Sequence, residues 1–265
     1  MVDFLSLSSG SSGNSYFISN GNSSFLVDAG IGPRTIKKRL AEHGFDIADL
    51  KFVLVTHDHS DHIKGLGSLA GRYKLPVYAT SRLHKAMRLR LSTAGRLSGC
   101  ERYAEPGKEF SVDGIKIIPF SVPHDATETV GYYISVDGVD FTFITDAGNP
   151  TEEMAEYCKR SRVVVIEANY DTGMLMEGSY PYILKSRVSS DHGHMSNDQC
   201  CKLIRSFLNP GIKSIFLCHL SANNNTPQMA YSAIEKTLES MNYIPGRDLN
   251  LCCLPRSECS DLFEF

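Results

Sequence analysis

A chain of 265 residues is long enough to bury a large core, either as one big α/β domain or as two smaller ones. Its 42% hydrophobic and 22% charged residues are ordinary for a globular protein, and a formal net charge of −3 excludes a whole-molecule basic field, so contact with nucleic acid would need a local patch. The first nine residues have no basic region and only a very short apolar run, which reads as neither a signal peptide nor a membrane span. The expectation is a cytoplasmic protein whose eight cysteines, none in a Cys-x-x-Cys pair, are thiols rather than disulfides.

In chain order, residues 7–15 form a Gly/Ser-rich stretch, read as a loop able to present backbone N–H groups to an anion or as a flexible turn. Strand-like runs follow at 15–18, 24–27, 52–55, 77–79, 115–120, 131–135, 141–144, 163–166, 215–217 and 249–254. Helical patterns fall at 32–43, 81–91, 151–158, 196–208 and 227–241. Strands come first in pairs and then alternate with helices in both halves, which predicts two mixed sheets with helices outside them. Asp113-Gly114 and Asp137-Gly138 lie between strand-like runs and predict hairpins. Ser196 and Thr226 are predicted helix caps, with Pro227 at the first helical position.

The densest chemistry is Thr56-His57-Asp58-His59-Ser60-Asp61-His62, between an apolar strand and the start of a helix near residue 63. Three imidazoles and a carboxylate this close are costly to hold together unless something binds them. Neutral imidazole and carboxylate are ligands for zinc, and equally for manganese, iron or nickel. Open α/β sheets bind ligands at the carboxyl ends of their strands. His124, Asp146 and His219 each follow another apolar strand-like run, so one sheet edge could gather them. Cys218, next to His219, is assigned to the core because alternate strand residues face opposite ways. Residues 82–102 form the one locally basic stretch, in which Arg88 and Arg90 are candidate phosphate contacts and a solvated helix face is the competing reading.

His57-x-His59-x-Asp61-His62, followed by His124, Asp146 and His219, resembles the metallo-β-lactamase superfamily, whose fold is a four-layer αββα sandwich. Phe25-Leu-Val-Asp28-Ala-Gly30 matches that superfamily's first motif, with a structural Asp under the metal loop. The resemblance spans residues 1–265 as a single domain. It implies two divalent cations: one held by His57, His59 and His124, the other by Asp61, His62 and His219, with Asp146 bridging. Asp61 would also meet the shared water. Glu167-Ala-Asn-Tyr-Asp171 and Gly193-His-Met-Ser-Asn197 resemble paired motifs of the RNase Z family. That resemblance implies that Glu167 orients His194, which donates a proton to the leaving oxygen. Asn169 departs from that family's Thr, and no protruding tRNA-binding arm is evident.

The chain is still more similar to the YycJ (WalJ) branch, through Ser9-Gly-Ser-Ser-Gly-Asn14, Pro123-His-Asp-Ala126, the two stretches just quoted, and His219-Leu-Ser221 with residues 223–225. That likeness implies a phosphodiesterase acting on DNA or RNA, of the 5′-to-3′ exonuclease kind. Ser11, Asn14 and Ser221 then join Arg88 and Arg90 as candidate substrate contacts. Two alternatives stay open: a small-molecule cyclic or nucleotide phosphodiesterase, and a non-catalytic metal-binding regulatory protein. The sequence leaves the oligomeric state open.

Overall fold

The computed structural model describes residues 1–265. Its strands are β1 (Asp3–Gly10), β2 (Gly13–Ser19), β3 (Ser24–Val27), β4 (Leu50–Leu54), β5 (Val77–Ala79), β6 (Glu101–Tyr103), β7 (Phe110–Val112), β8 (Ile115–Ser121), β9 (Val130–Val136), β10 (Val139–Ile144), β11 (Val163–Glu167), β12 (Ser214–Cys218), β13 (Asn250–Cys253) and β14 (Phe263–Glu264). The α-helices are α1 (Pro33–Glu42), α2 (Ser60–Ile63), α3 (Leu66–Tyr73), α4 (Ser81–Met87), α5 (Glu152–Arg160), α6 (Thr172–Glu177), α7 (Tyr182–Val188), α8 (Asn197–Phe207) and α9 (Pro227–Ser240). The expected α/β architecture is present as two mixed seven-stranded sheets flanked by helices. No helix is long and apolar enough to cross a membrane.

The chain divides into two compact units. The first comprises Met1–Pro119, Ala126–Glu128 and Pro255–Phe265. Its sheet runs β14-β1-β2-β3-β4-β5-β6, antiparallel through β3 and parallel from β3 to β6. Ile36 and Leu40 of α1 and Leu66 and Leu69 of α3 join Leu5, Phe17, Leu26 and Val53 in its core. The second unit comprises Phe120–Asp125 and Thr129–Leu254. The second sheet runs β13-β12-β11-β10-β9-β8-β7, and β10 through β13 are mutually parallel. Apolar residues of α5, α8 and α9, including Met154, Ile204 and Ile234, form one core with Val164, Ile166 and Ile215.

Local chemistry explains most boundaries. Both Asp-Gly pairs make hairpin turns with positive φ at each residue (50° and 80°, then 47° and 79°), the geometry that Asp and Gly tolerate. Ser196 caps α8 in a reciprocal capping box with Gln199, and Thr226 caps α9 ahead of Pro227. The short elements β6, β7, β14, α6 and α7 fall outside the strand-like runs and helical patterns read from sequence, and three other expectations are revised. Residues 7–15 are not a loop: they complete β1, turn at Ser11-Ser12 and begin β2, so their N–H groups largely serve the ladder. Buried serines replace apolar residues there because each finds a partner, Ser8 Oγ donating to the Arg256 carbonyl and Ser9 Oγ meeting the Tyr16 hydroxyl at 2.9 Å. The helical pattern at 81–91 stops at Met87, where the chain tightens into three-residue turns: Leu89 N donates to the Ala86 carbonyl at 2.9 Å and Arg90 N to the Met87 carbonyl at 3.2 Å, to which Thr93 Oγ1 also donates. The helix expected after residue 62 is split into α2 and α3 at Lys64-Gly65. A Cβ on Gly65 would lie 1.9 Å from the Ile31 carbonyl oxygen, so the chain passes there only as glycine.

The eight cysteines form no disulfide. Burial pushes the Cys158 and Cys200 thiols up, and Cys218 lies in the core as expected.

Candidate active site

In the first unit, β4 delivers residues 56–62 at its carboxyl end. The His57 ring lies 4.0 Å from that of His62 and 4.8 Å from that of His59. Beneath them Asp28 is fully buried in a left-handed conformation (φ 61°). Its carboxylate accepts from Thr56 N at 2.9 Å, from Thr56 Oγ1 at 2.7 Å and from His62 Nδ1 at 2.7 Å. The Thr56 hydroxyl hydrogen is committed to Asp28, so Thr56 Oγ1 accepts from His57 Nδ1 at 3.0 Å. Both imidazoles thereby carry their proton on Nδ1 and turn the Nε2 lone pair outward, the tautomer a metal ligand needs. Gly30 completes the support. A Cβ there would fall 1.6 Å from the Asp61 carbonyl oxygen, so the first-motif strand can pass under the loop only without a side chain.

Asn14 is fully buried beside this set, its amide nitrogen 2.9 Å from His62 Nε2 and 3.3 Å from Asp61 Oδ2. An amide N–H with partial positive charge thus stands against the same lone pairs a cation would take. Asp58 points the other way. It accepts from Arg90 at 2.7 and 3.1 Å and from Thr127 N and Oγ1 at 3.1 and 3.0 Å. Burial works to raise the Asp58 pKa, but these hydrogen bonds more than offset it, and the carboxyl is held below its usual range. Thr56 and Asp58 brace this loop and are supporting residues that sequence reasoning passed over. Their only signal is their place between ligands, and the partners that reveal them are distant in sequence.

In the second unit, parallel β10, β11 and β12 end together and present Asp146, Glu167 and His219 at one edge. The Ser190–Ser196 segment adds His194. Asp146, Glu167, His194 and His219 each offer a ligand-type atom within 4.8 Å of the others. Glu167 is fully buried and saturated. Its Oε1 accepts from His194 Nδ1 at 2.8 Å and His219 Nδ1 at 3.0 Å; its Oε2 accepts from Ala147 N at 2.9 Å and Met195 N at 3.0 Å. Burial alone would raise its pKa, yet the His194 charge and these hydrogen bonds bring it below the ordinary glutamate value. Burial likewise acts to lower the His194 pKa, but Glu167 and then Asp146 outweigh it, and the imidazole is held above its ordinary value.

His124 follows β8 and donates from Nδ1 to the Gly193 carbonyl at 2.7 Å, and its Nε2 lies 3.6 Å from Asp146 Oδ2. Burial chiefly lowers its pKa, favouring the neutral imidazole that coordination requires. His219 has a left-handed backbone (φ 52°), held because Asn169 Nδ2 donates to its carbonyl at 2.8 Å. The departure from the RNase Z pattern at residue 169 therefore has a local use. Asn225 in turn donates to the Ala168 carbonyl at 2.9 Å, tying the 223–225 stretch to the same loop.

The candidate substrate contacts are distributed differently. Ser11 sits exposed at the β1–β2 turn. Arg88 pairs with Glu101 through two hydrogen bonds of 3.0 and 2.6 Å and Arg90 with Asp58, so both guanidiniums already hold carboxylates. Ser221 Oγ accepts from Asn224 N at 3.2 Å and serves its own turn.

Both ligand sets fit divalent metal. They combine carboxylates with imidazoles, of which His57, His62, His124 and His219 have their Nδ1 atoms engaged by supporting groups, the hard-to-borderline donors that first-row cations take. The β-lactamase superfamily domain matches residues 23–219. Exodeoxyribonuclease WalJ of Streptococcus pneumoniae serotype 2 is 35% identical over 246 residues, 92% of this chain and 91% of that one. Exodeoxyribonuclease YycJ of Bacillus anthracis is 33% identical over 246 residues, 92% of each. The metallo-β-lactamase fold protein YhfI of Bacillus subtilis, 14% identical, matches 98% of this chain and 100% of its own with a TM-score of 0.71. The chain belongs to the β-lactamase superfamily and has the metallo-β-lactamase fold.

Proposed function

We propose that this chain is a metal-dependent phosphodiesterase that degrades DNA as an exonuclease. The observation that carries the reading is its 35% identity across nearly the whole length of an exodeoxyribonuclease. We assign His57, His59 and His124 to one divalent cation and Asp61, His62 and His219 to a second, with Asp146 shared, as the superfamily resemblance implies. Zinc is the first expectation for both. When bound, such a pair supplies a more acidic water and positive charge for the phosphate oxygens.

The side chains have distinct work. Asp28 and Thr56 fix the tautomers of His62 and His57, and Gly193 fixes that of His124. Glu167 orients His219 and His194 through one oxygen. His194 donates its Nδ1 proton to Glu167, so a second proton on Nε2 makes it an imidazolium. That proton is the one available to a departing 3′ or 5′ oxygen. Glu167 and Asp146 hold the His194 pKa above its ordinary value, which favours that imidazolium. A lactam or thioester hydrolase has no need of this pair.

The test is hydrolysis of end-labelled single- and double-stranded DNA and RNA by purified protein loaded in turn with zinc, manganese, iron and nickel, beside bis(p-nitrophenyl) phosphate. Progressive shortening of DNA from one end is the expected result. Cleavage of the small diester with every nucleic acid left intact would instead favour a small-molecule phosphodiesterase. Metal binding without hydrolysis of any diester would favour a regulatory metal-binding protein.

A further inference from the structure

The first unit holds a cavity of about 510 Å³ at the carboxyl ends of β5 and β6, lined by Thr80, Arg82, Tyr103, Glu105 and Glu128 among others. Because β4, β5 and β6 are parallel, it opens at the edge where β4 delivers His57 and His59. It is joined to that loop. Thr80 donates from Oγ1 to Glu128, and the neighbouring Thr127 binds Asp58, which lies between the two histidines. Tyr103 is 62% exposed on the cavity wall. Its ring is braced by His84, whose plane stands at 77° with centroids 5.2 Å apart. His84 is itself buried and locked by Nε2 to the Arg102 carbonyl at 2.9 Å. A fixed aromatic ring facing an open cavity is a stacking platform.

The charges select the occupant. Glu105, paired with Lys108 Nζ at 2.8 Å, and Glu128, which accepts from Thr80, still place two acceptor carboxylates in the wall, which suits a flat group carrying N–H donors better than a phosphate. Nucleobases with an exocyclic amino group have that form. Arg82, 69% exposed and only loosely paired with Glu128 at 3.7 Å, offers a cation for an adjoining phosphate. We propose that this cavity is a nucleobase subsite: it takes one unpaired base of the substrate strand, stacked on Tyr103, beside the metal loop. The proposal rests on the reading of the chain as a nuclease.

The experiment uses metal-loaded protein and hydrolysis-resistant phosphorothioate oligodeoxynucleotides, each with a single 2-aminopurine at a different position. Wild type should quench the fluorophore at one or two positions near an end. Tyr103→Ala should abolish that quench and weaken binding by roughly 5- to 100-fold, the range for one stacked base. Tyr103→Phe should keep both, because the ring face and not the hydroxyl does the stacking. Matching melting midpoints establish that both variants fold. Unchanged quench and affinity in Tyr103→Ala overturn the subsite, as does a Phe variant as weak as the Ala variant. Wild type that degrades ordinary DNA yet quenches at no position overturns the subsite and leaves the nuclease reading standing. Neither binding nor hydrolysis of DNA overturns both.

Discussion

Glu167 Oε1 and His194 Nδ1 lie 2.8 Å apart, and the carboxylate side of that pair is completely buried while the imidazole is 16% exposed. A buried carboxylate next to a partly exposed imidazole holds a proton where a substrate can reach it. His194→Ala should therefore lower turnover of DNA by about 10²- to 10⁴-fold, the range for a positioned general acid. Metal content by elemental analysis should stay near wild type, because His194 is assigned a proton and not a metal. The defect should shrink on p-nitrophenyl diesters, whose leaving group needs no proton. Glu167→Gln should repeat the pattern more mildly. Loss of metal in His194→Ala would make the residue a ligand and sink the assignment.

Asp61→Ala tests the metal reading directly. The residue offers a carboxylate 3.6 Å from His62 Nε2, and its loss removes the proposed ligand and a negative charge from the loop. Hydrolysis should fall by about 10³-fold or more in metal-replete buffer, in keeping with sites that depend on metal to activate water. Near-wild-type rates across a metal titration would count against two cooperating cations.

Gly30→Ala probes support rather than chemistry. The added Cβ would meet the Asp61 carbonyl oxygen at 1.6 Å and the Asn14 nitrogen at 2.6 Å, both backbone atoms that cannot swing aside. The loop must move, at a cost of roughly 3 kcal/mol as for other overpacked sites. Denaturant melts and zinc affinity should both decline. A variant that keeps both would show that the loop and the first-motif strand are less tightly coupled than this close approach implies.

The ligand loop and the strand ends were legible in sequence because β-branched runs stop abruptly at His or Asp, and that signal is local. The Asp-Gly hairpins and the Ser196 and Thr226 caps were legible for the same reason, since turn and cap chemistry acts within four residues. What stayed hidden depends on distant partners. Strand β1 is rich in serines that look loop-like until the Arg256 carbonyl, 248 residues away, accepts from Ser8 Oγ and the Tyr16 hydroxyl meets Ser9 Oγ. Helix α4 ends early where it tightens into three-residue turns, and the carboxylates that pair with Arg88 and Arg90, Glu101 and Asp58, lie 13 and 32 residues away. Asp58 sits inside the motif, yet its alternation away from the ligands could not be told from spacing alone.

Asp58 also sets a pH dependence. Its pKa is depressed below the ordinary 3.8, burial being outweighed by hydrogen bonds from Arg90 and Thr127. A carboxyl with a depressed folded-state pKa contributes stability that is complete above its unfolded pKa. That contribution is lost as pH falls through the lower, folded value. Chelator-treated wild type should accordingly be more stable than Asp58→Ala by about 2 kcal/mol at pH 5 to 7, a figure restrained by the half-exposed Arg90. The gap should narrow as pH drops below 3.8 and the carboxylate takes up its proton. Using metal-free protein keeps loss of bound cations out of the comparison. Urea melts of both proteins over this range decide the matter: a gap that stays constant down to strongly acidic pH would mean that Asp58 acts by packing, and a gap absent at neutral pH would mean that its ion pair and its bonds to Thr127 contribute nothing.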